Sequence, residues 1–407
     1  MQPTRHIVIV GGGLVGAVVA LALQQRGFRI SLVDRARPTP GPQGLGIDIR
    51  NVALSHGSRQ LIESVVDWPG QAGVFKAMHV WEQWGVNSLH FAARDLNLES
   101  LGWISEVAPL LTALWQKIDA TPDIETVFGE IGSVQHGVDS VSLGLAQRSI
   151  EADLLIASDG ARSGVRNLLQ VPTQTWPTGQ VALTTVVATE QSHQDTAWQR
   201  FLLDGPLAFL PSKHKHQCSV VWSQSEQSLQ ANLAASDAEF CQRISQALEY
   251  RLGAVTEVAT RQSFPLQQQL AQTAQPRPRV LLIGDALRVV HPLAGLGVNL
   301  GFEDARAVLA AVDAMAGQLD PAGFAKFARQ RLLKSQLMLR LLSGLQVLYG
   351  QPDPLTSWVR NIGVGRVNKM GWLKRQLMLE ALGGRELLKE SATAADGNLS
   401  DAEGRLI

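Results

Sequence analysis

The chain has 407 residues, of which 45% are hydrophobic and 18% charged, and its 36 Lys and Arg residues balance its 36 Asp and Glu residues. This composition is typical of a globular protein and excludes wholesale disorder, and the length predicts more than one domain. Balanced charge without Lys/Arg runs argues against nucleic-acid binding, and the widely spaced Cys218 and Cys241 form no metal or dithiol motif.

The N-terminal region has the pattern of a nucleotide-binding unit. Residues 6–10 form a short apolar run, residues 14–26 have helical spacing that ends at Gly27, and residues 30–33 form a second apolar run. This order predicts a strand, a helix and a parallel strand with a right-handed crossover. The glycines that follow the first run argue against a signal peptide or a membrane helix. We therefore expect a cytoplasmic protein, with peripheral contact to the inner membrane left open.

Further along the chain, β signals alternate with returns to buried strands. Antiparallel strands are predicted near residues 79–84, 181–189, 207–211 and 218–223, a helix over 107–119, buried parallel strands over 153–157 and 280–283, and mostly helix after 304. The sequence therefore predicts an α/β fold in which two domains interleave. The predicted segments are 1–70, 105–175 and 270–325 for the nucleotide-binding domain, 71–104 and 176–269 for a β-sheet substrate domain, 326–390 for a helical C-terminal region, and 391–407 for a flexible tail.

The first chemical motif is a G-x-G-x-x-G formed by Gly11, Gly13 and Gly16, between the first strand and the helix. Glycines at these positions allow a tight turn, close approach to a pyrophosphate and close helix packing. Asp34 ends the next strand 18 residues after Gly16. A carboxylate there accepts hydrogen bonds from a ribose, which favours FAD or NAD over NADP at this site.

Two further motifs follow predicted buried strands. One runs over residues 157–166 and contains the pair Asp159-Gly160, which taken alone could be an ordinary β-turn. The other runs from Gly284 to Gly301, and its Asp285 is suited to accept hydrogen bonds from polyol hydroxyls. Its later glycines would form a second backbone anion site at a helix start.

In this order the three motifs resemble those of the aromatic-hydroxylase group of FAD monooxygenases, which have the para-hydroxybenzoate hydroxylase fold. Residues 291–295 and 297–301 narrow the resemblance to the bacterial ubiquinone-biosynthesis hydroxylases and their mitochondrial relatives. Supporting matches at 48–55, 101–103, 201–211, 263–266 and 360–361 extend it over nearly the whole chain. The resemblance implies a Rossmann-type FAD-binding domain, an interleaved β-sheet substrate domain and a helical C-terminal region.

The resemblance also implies which residues bind FAD. The pyrophosphate is expected at the first motif, at Gly11, Gly13, Leu14, Val15 and Gly16. Asp34 is expected to bind the adenosine ribose with Arg35 on the adenine side, Arg50 to lie against the diphosphate or the flavin, and Asp285 to bind the ribityl chain. Asp159 is expected in the turn that couples FAD and NAD(P)H binding in this fold. The flavin ring is expected to be lined by Pro292, Gly295, Leu296, Gly297, Val298 and Asn299.

In this family the cofactor carries the chemistry, so no catalytic acid or base is assigned. The resemblance implies that NAD(P)H, bound transiently, reduces the flavin, that O₂ adds to form a flavin hydroperoxide, and that an aromatic ring attacks it. The expected substrate is a polyprenylated phenol of ubiquinone biosynthesis. Substrate contacts are expected from Phe209, Pro211 and Trp222, although such residues are more often plain core.

Besides a mild change at Ala157-Ser158, three residues depart from the family pattern. Leu287 and Arg288 stand where the family often has Ala-His, and Leu296 stands where it has Gln. Loss of that glutamine removes a polar side chain beside the flavin or substrate. The departures motivate an alternative hypothesis, a non-catalytic FAD-binding scaffold subunit of a quinone-biosynthesis complex.

Overall fold

The computed structural model describes residues 5–39, 41, 43–83, 88–137, 139–291 and 296–350, and only the backbone at 296 and 345–350. The predictions for Pro292, Gly295, the second half of the C-terminal region and the tail lie outside these residues.

The strands of the described chain are β1 (His6–Val10), β2 (Arg29–Asp34), β3 (Gln43–Gly44), β4 (Ile47–Asp48), β5 (Asn51–Leu54), β6 (Gly73–Phe75), β7 (Ala77–Glu82), β8 (Leu89–Ala92), β9 (Gly102–Glu106), β10 (Ile124–Phe128), β11 (Ile131–His136), β12 (Val141–Leu145), β13 (Ser149–Ala152), β14 (Leu154–Ala157), β15 (Thr173–Thr189), β16 (Thr196–Leu202), β17 (Gly205–Pro211), β18 (Gln217–Gln224), β19 (Val255–Val258), β20 (Gln262–Ala271), β21 (Val280–Leu282) and β22 (Arg288–Val289). The helices are α1 (Leu14–Gln24), α2 (His56–Glu63), α3 (Val107–Asp119), α4 (Gly164–Leu168), α5 (Glu226–Ala234), α6 (Asp237–Ala247), α7 (Leu296–Ala314) and α8 (Pro321–Gly350).

A five-stranded parallel sheet has the strand order β10-β2-β1-β14-β21. Its central strand β1 is buried at every position, which explains the uninterrupted apolar run in the sequence. Helices α1, α3 and α7 contribute apolar side chains to the core around this sheet. The sheet brings together segments that are far apart in the sequence, since β14 and β21 lie beside β1. The predicted fold class is confirmed, while the proposed segment boundaries stay a prediction.

A nine-stranded mixed sheet has the order β22-β20-β15-β18-β17-β16-β7-β8, with β19 also paired to β15. Helices α5 and α6 cover one of its faces. Leu207, Phe209 and Val220 point to these helices and pack with Phe240 and Ile244 in a second core. The alternate residues of the same strands therefore face the parallel-sheet domain.

Helices α7 and α8 form the last part of the described chain. α7 begins at Leu296, earlier than the helical sequence after residue 304 indicates, and buries Phe302 and Val308 against the parallel sheet. Leu339 and Leu342 of α8 pack in a small core cluster with Leu270 of β20 and Leu300 of α7. None of the described helices is long and apolar enough to cross a membrane.

Candidate active site

A cavity of about 560 Å³ lies between the carboxyl edge of the parallel sheet and the uncovered face of the mixed sheet. On the parallel-sheet side it is lined by residues of the three chemical motifs, Gly13, Leu14, Val15, Ser158, Gly160, Gly284, Asp285, Gly297, Val298 and Gly301. On the other side it is lined by mixed-sheet residues, among them Thr184, Ala197, Trp198, Gln199, Ala208, Leu210 and Val221.

The three motifs meet because their strands are neighbours. Each motif follows the carboxyl end of β1, β14 or β21, and these strands lie side by side in the parallel sheet. Ligands of open α/β sheets bind at this edge, where loops from adjacent strands converge. The structure thus places residues of all three motifs in one cavity wall, whereas Gly11, Gly16 and Asp159 do not line it.

The first motif forms a backbone cradle at the start of α1. A Cβ atom at Gly11 would collide with the backbone of Ser158, and one at Gly16 would collide with the carbonyl oxygen of Gly11. A Cβ at Gly13 would meet no atom within 4 Å, because this residue faces the cavity. Gly13 caps α1 without a side-chain hydrogen bond, so the first N–H groups of the helix are left for an anionic ligand.

Asp34 ends β2 beside this cradle. Its carboxylate accepts a hydrogen bond from the backbone N–H of Gly12 at 2.6 Å and another from that of Arg35 at 2.6 Å. Trp115 of α3 donates from Nε1 to the Gly12 carbonyl oxygen at 2.9 Å, and a Cβ at Gly12 would collide with its ring. The sequence motifs do not reveal Trp115, because no local pattern places α3 against the glycine turn.

The other two acidic residues of the motifs lie in low-polarity surroundings. Asp159 accepts a hydrogen bond from the Val165 N–H at 3.2 Å, and burial raises its pKa. Asp285 presents its side chain to the open cavity, yet the surrounding protein excludes enough solvent to raise its pKa, with the charge of Arg288 acting against this rise. Gly284 precedes it with a φ of +57°, a conformation that favours glycine.

Gly297 and Val298, which the resemblance assigns to the flavin ring, line the cavity in the first turn of α7. The side chain of Asn299 has a different task. Its Nδ2 donates to the Ala53 carbonyl oxygen at 2.8 Å, and its Oδ1 accepts from the Ser55 N–H at 2.9 Å and from the Ser58 hydroxyl at 2.7 Å. Asn299 therefore fastens α7 to β5 and α2.

Arg50 lines the cavity next to β5, and its side chain is 45% exposed. Its position is set by the buried Asp48, whose carboxylate accepts from the N–H of Arg50 at 2.9 Å and from that of Ala108 at 2.9 Å. The guanidinium makes long contacts, 3.5 Å to the Thr39 carbonyl oxygen and 4.0 Å to the Asp48 carboxylate. Arg50 is thus held mainly through its backbone, and its half-exposed guanidinium makes only long contacts with the protein where it lines the cavity.

The mixed-sheet wall corrects one expectation. Phe209 and Trp222 point away from the cavity, into the core beneath α5 and α6. Pro211 shares the strand face of Phe209, and none of the three lines the cavity. Side chains alternate along a strand, so the cavity wall is formed by the neighbours Ala208, Leu210 and Val221. Phe209, Pro211 and Trp222 thus lie on the opposite face of these strands from the cavity lining.

The residues present fit FAD. The cradle at Gly13 and the uncapped helix start suit the diphosphate, the carboxylate of Asp34 suits a ribose, and that of Asp285 suits a polyol chain. Within the described residues, no cluster of three or more His, Cys, Asp or Glu side chains is placed to hold a metal ion.

Comparison with known proteins agrees with this assignment. Residues 105–341 match a family model described as an FAD binding domain, and residues 9–67 match an NAD(P)-binding Rossmann-like domain. The chain is 32% identical over 392 residues to 3-demethoxyubiquinol 3-hydroxylase of Escherichia coli, covering 94% of this chain and 99% of that protein. It is 30% identical over 387 residues to ubiquinone hydroxylase UbiL of Rhodospirillum rubrum, covering 93% of this chain and 89% of that one.

The fold is also similar to that of p-nitrophenol 4-monooxygenase PnpA from Pseudomonas putida, with a TM-score of 0.71, 18% identity, and coverage of 95% of this chain and 100% of that chain. At this identity the likeness shows the fold alone. With the two closer sequence relatives and the family model, the chain belongs to the family of FAD-dependent monooxygenases that includes the ubiquinone-biosynthesis hydroxylases.

Proposed function

We propose that the protein hydroxylates the aromatic ring of a polyprenylated phenol in ubiquinone biosynthesis, with FAD, NAD(P)H and O₂. The observation that carries the proposal is the single cavity that joins the cofactor motifs to an apolar sheet face. The names of the two relatives, 3-demethoxyubiquinol 3-hydroxylase and ubiquinone hydroxylase, support a substrate of this class.

FAD, when bound, supplies the redox chemistry with NAD(P)H and O₂. The chain itself has to bind the cofactor, orient the substrate and exclude water. The diphosphate is assigned to the N–H groups at the start of α1, the ribose to Asp34 and the ribityl chain to Asp285. Asn299 ties Ala53 of β5, which lines the cavity, to α7.

The other walls are mostly apolar. Phe75, Met78, Ile104, Leu210 and Val221 line the cavity and leave few groups to which water could hydrogen-bond. Such a lining favours an aromatic ring that carries a long hydrocarbon chain, because burial of both removes apolar surface from water.

The departures from the family pattern do not favour the scaffold hypothesis. Leu287 packs in the core of the parallel-sheet domain, and Arg288 forms an ion pair with Asp304 of α7. Neither residue lines the cavity, so neither change alters its lining. The side chain of Leu296 lies outside the described residues.

We also propose that α8 makes a peripheral contact with the membrane, in which a polyprenylated substrate dissolves. Leu333, Leu337 and Leu341 recur every four residues on one side of α8 and are 68%, 66% and 49% exposed. This leucine ridge offers apolar surface to a lipid interface. Cytoplasmic location at the inner membrane remains a prediction consistent with this contact.

The experiment that tests the enzymatic proposal uses purified, FAD-loaded protein with NAD(P)H, O₂ and a prenylated phenol. Mass spectrometry should detect a product with one additional oxygen atom, and the same phenol should accumulate in cells that lack the protein. A Gly13→Val variant, whose side chain fills the cradle, should yield no product. NAD(P)H oxidation without any hydroxylated product would overturn the proposal.

A further inference from the structure

The polar side chains of the mixed-sheet wall are almost all satisfied by the protein itself. The Thr184 hydroxyl donates to the Val220 carbonyl oxygen at 3.0 Å, and Trp198 donates from Nε1 to the His193 carbonyl oxygen at 3.2 Å. Gln199 is the exception. It lines the cavity, is 6% exposed, and its side-chain amide has no hydrogen-bond partner in the described part of the chain.

The other polar side chains that line the cavity either have hydrogen-bond partners in the protein or are assigned to FAD. Asn51 and Ser158 donate to backbone carbonyl oxygens. Asp285 and Arg50 are assigned to FAD. An amide that lines a cavity and has no partner in the protein is free to hydrogen-bond a ligand there. The amide of Gln199 is thus available to hydrogen-bond the substrate, which is the second molecule in the cavity beside FAD.

The register of the sheet sets where this amide lies. Thr184 pairs with Val221, Val221 with Ala208, and Ala208 with Gln199, each on adjacent strands. These four residues form one row across the sheet, and all line the cavity. The small apolar side chains of the middle pair leave a flat surface, and Gln199 ends the row with a polar group. A flat ring lying against this row would have one edge at the amide.

We propose that Gln199 hydrogen-bonds an oxygen substituent of the substrate's aromatic ring and thereby orients the ring in the cavity. This inference rests on the proposed function, because it takes the second molecule to be a phenol. An amide donates to and accepts from a phenolic hydroxyl, and it donates to a methoxy oxygen. Gln199 therefore selects rings that carry oxygen at one position, whereas the apolar wall binds ring and hydrocarbon chain without such selection.

The test measures binding to oxidised, FAD-loaded protein through the change in flavin absorbance, without NAD(P)H. The probes are a short-chain prenylated phenol and the same molecule with hydrogen in place of the hydroxyl. Wild-type protein should bind the phenol about three- to tenfold more tightly, the range expected for one neutral hydrogen bond. The Gln199→Leu variant, of similar volume, should bind both probes equally and retain its FAD.

Gln267→Leu makes the same chemical change at an exposed position of β20 that does not line the cavity, and it should keep the wild-type preference. A Gln199→Leu variant that keeps the preference would overturn the inference, as would wild-type protein that has none. A turnover assay separates the two proposals. Preference without hydroxylated product contradicts the proposed function alone, and hydroxylation with an unchanged preference in Gln199→Leu contradicts only the role of Gln199.

Discussion

The Arg288 guanidinium lies 2.7 Å from the Asp304 carboxylate, and their side chains are only 2% and 0% exposed. The same carboxylate also contacts Nε of Arg331 on α8 and accepts from the Gly284 N–H at 2.9 Å. Asp304 thus connects β22, α7 and α8 to the turn that presents Asp285. Arg288, which departs from the family pattern, therefore helps to hold the turn that carries Asp285.

Replacement of Asp304 by Asn should therefore destabilise the fold strongly. It leaves Arg288 and Arg331 without this buried counter-charge, and such a loss costs about 3–5 kcal/mol. Denaturant unfolding measures the change. Asp313→Asn is a matched control on the same helix, where an exposed pair with Arg26 should lose at most about 1 kcal/mol. Equal losses in the two variants would contradict a structural role for the buried pair.

Two glycines of the first motif should respond differently to the same substitution. Gly16→Ala forces a Cβ into the Gly11 carbonyl oxygen and should cost about 3 kcal/mol of unfolding free energy. Gly13→Ala meets no protein atom within 4 Å, so the apoprotein should keep its stability. Its methyl group enters the cradle, so FAD affinity should fall about tenfold in equilibrium titration. Unchanged FAD affinity would argue against the assigned diphosphate site.

Stability should depend on pH through His291. Burial lowers the pKa of this residue from 6.5 to about 4, so the unfolded chain takes up a proton there at higher pH than the folded protein. The contribution of the neutral, buried His291 to the free energy of unfolding is fully present above pH 6.5. It is lost as the pH falls toward about 4, by up to about 3 kcal/mol.

A His291→Gln variant can still hydrogen-bond with Gln180, which His291 contacts at 3.3 Å, but does not titrate. Denaturant unfolding between pH 7.5 and 4.5 should show a shallower loss of stability in the variant. The other buried histidines are common to both proteins, so the difference isolates His291. Parallel pH profiles would contradict the prediction.

Adjacent residues of β17 should separate packing from substrate binding. Phe209→Ala opens the core beneath α6 and should cost about 3–5 kcal/mol of unfolding free energy with no change in substrate preference. Ala208→Phe fills the cavity and should lower kcat/KM about tenfold with little effect on stability. The opposite pattern would mean that the substrate binds on the other face of the sheet.

The leucine ridge of α8 should govern binding to lipid vesicles. Leu337→Ser removes exposed apolar surface and should weaken binding to anionic vesicles about tenfold in a flotation assay. Leu203→Ser is a control at a residue that is 47% exposed and lies outside α8. Wild-type protein that does not float with vesicles, or equal effects of both substitutions, would count against a membrane contact.

Much of the cofactor site could be predicted because its signals are local. A glycine-rich turn between a buried strand and a helix is typical of a phosphate-binding loop. Asp34 follows at the end of the next strand, where its carboxylate can bind a ribose. The apolar runs at 153–157 and 280–283 predicted two more buried strands, which the structure has as β14 and β21. Short-range periodicity thus indicated the fold class and the three turns that carry the motifs.

Which side chains line the cavity depends on contacts between segments that are distant in the sequence. Alternation along β17 is visible in the sequence, but whether Ala208 or Phe209 faces the cavity depends on α6 covering the opposite face. The free amide of Gln199 can be recognised only after the partners of Thr184 and Trp198 are known. The ion pair of Arg288 with Asp304 likewise requires α7 to pack behind β22.

The sequence therefore determines that this chain has an FAD cradle, because each part of the cradle lies within a few residues of a strand end. Tertiary packing determines which side chains lie opposite the cradle across the cavity, because burial and hydrogen-bond partners are properties of the assembled sheets and helices.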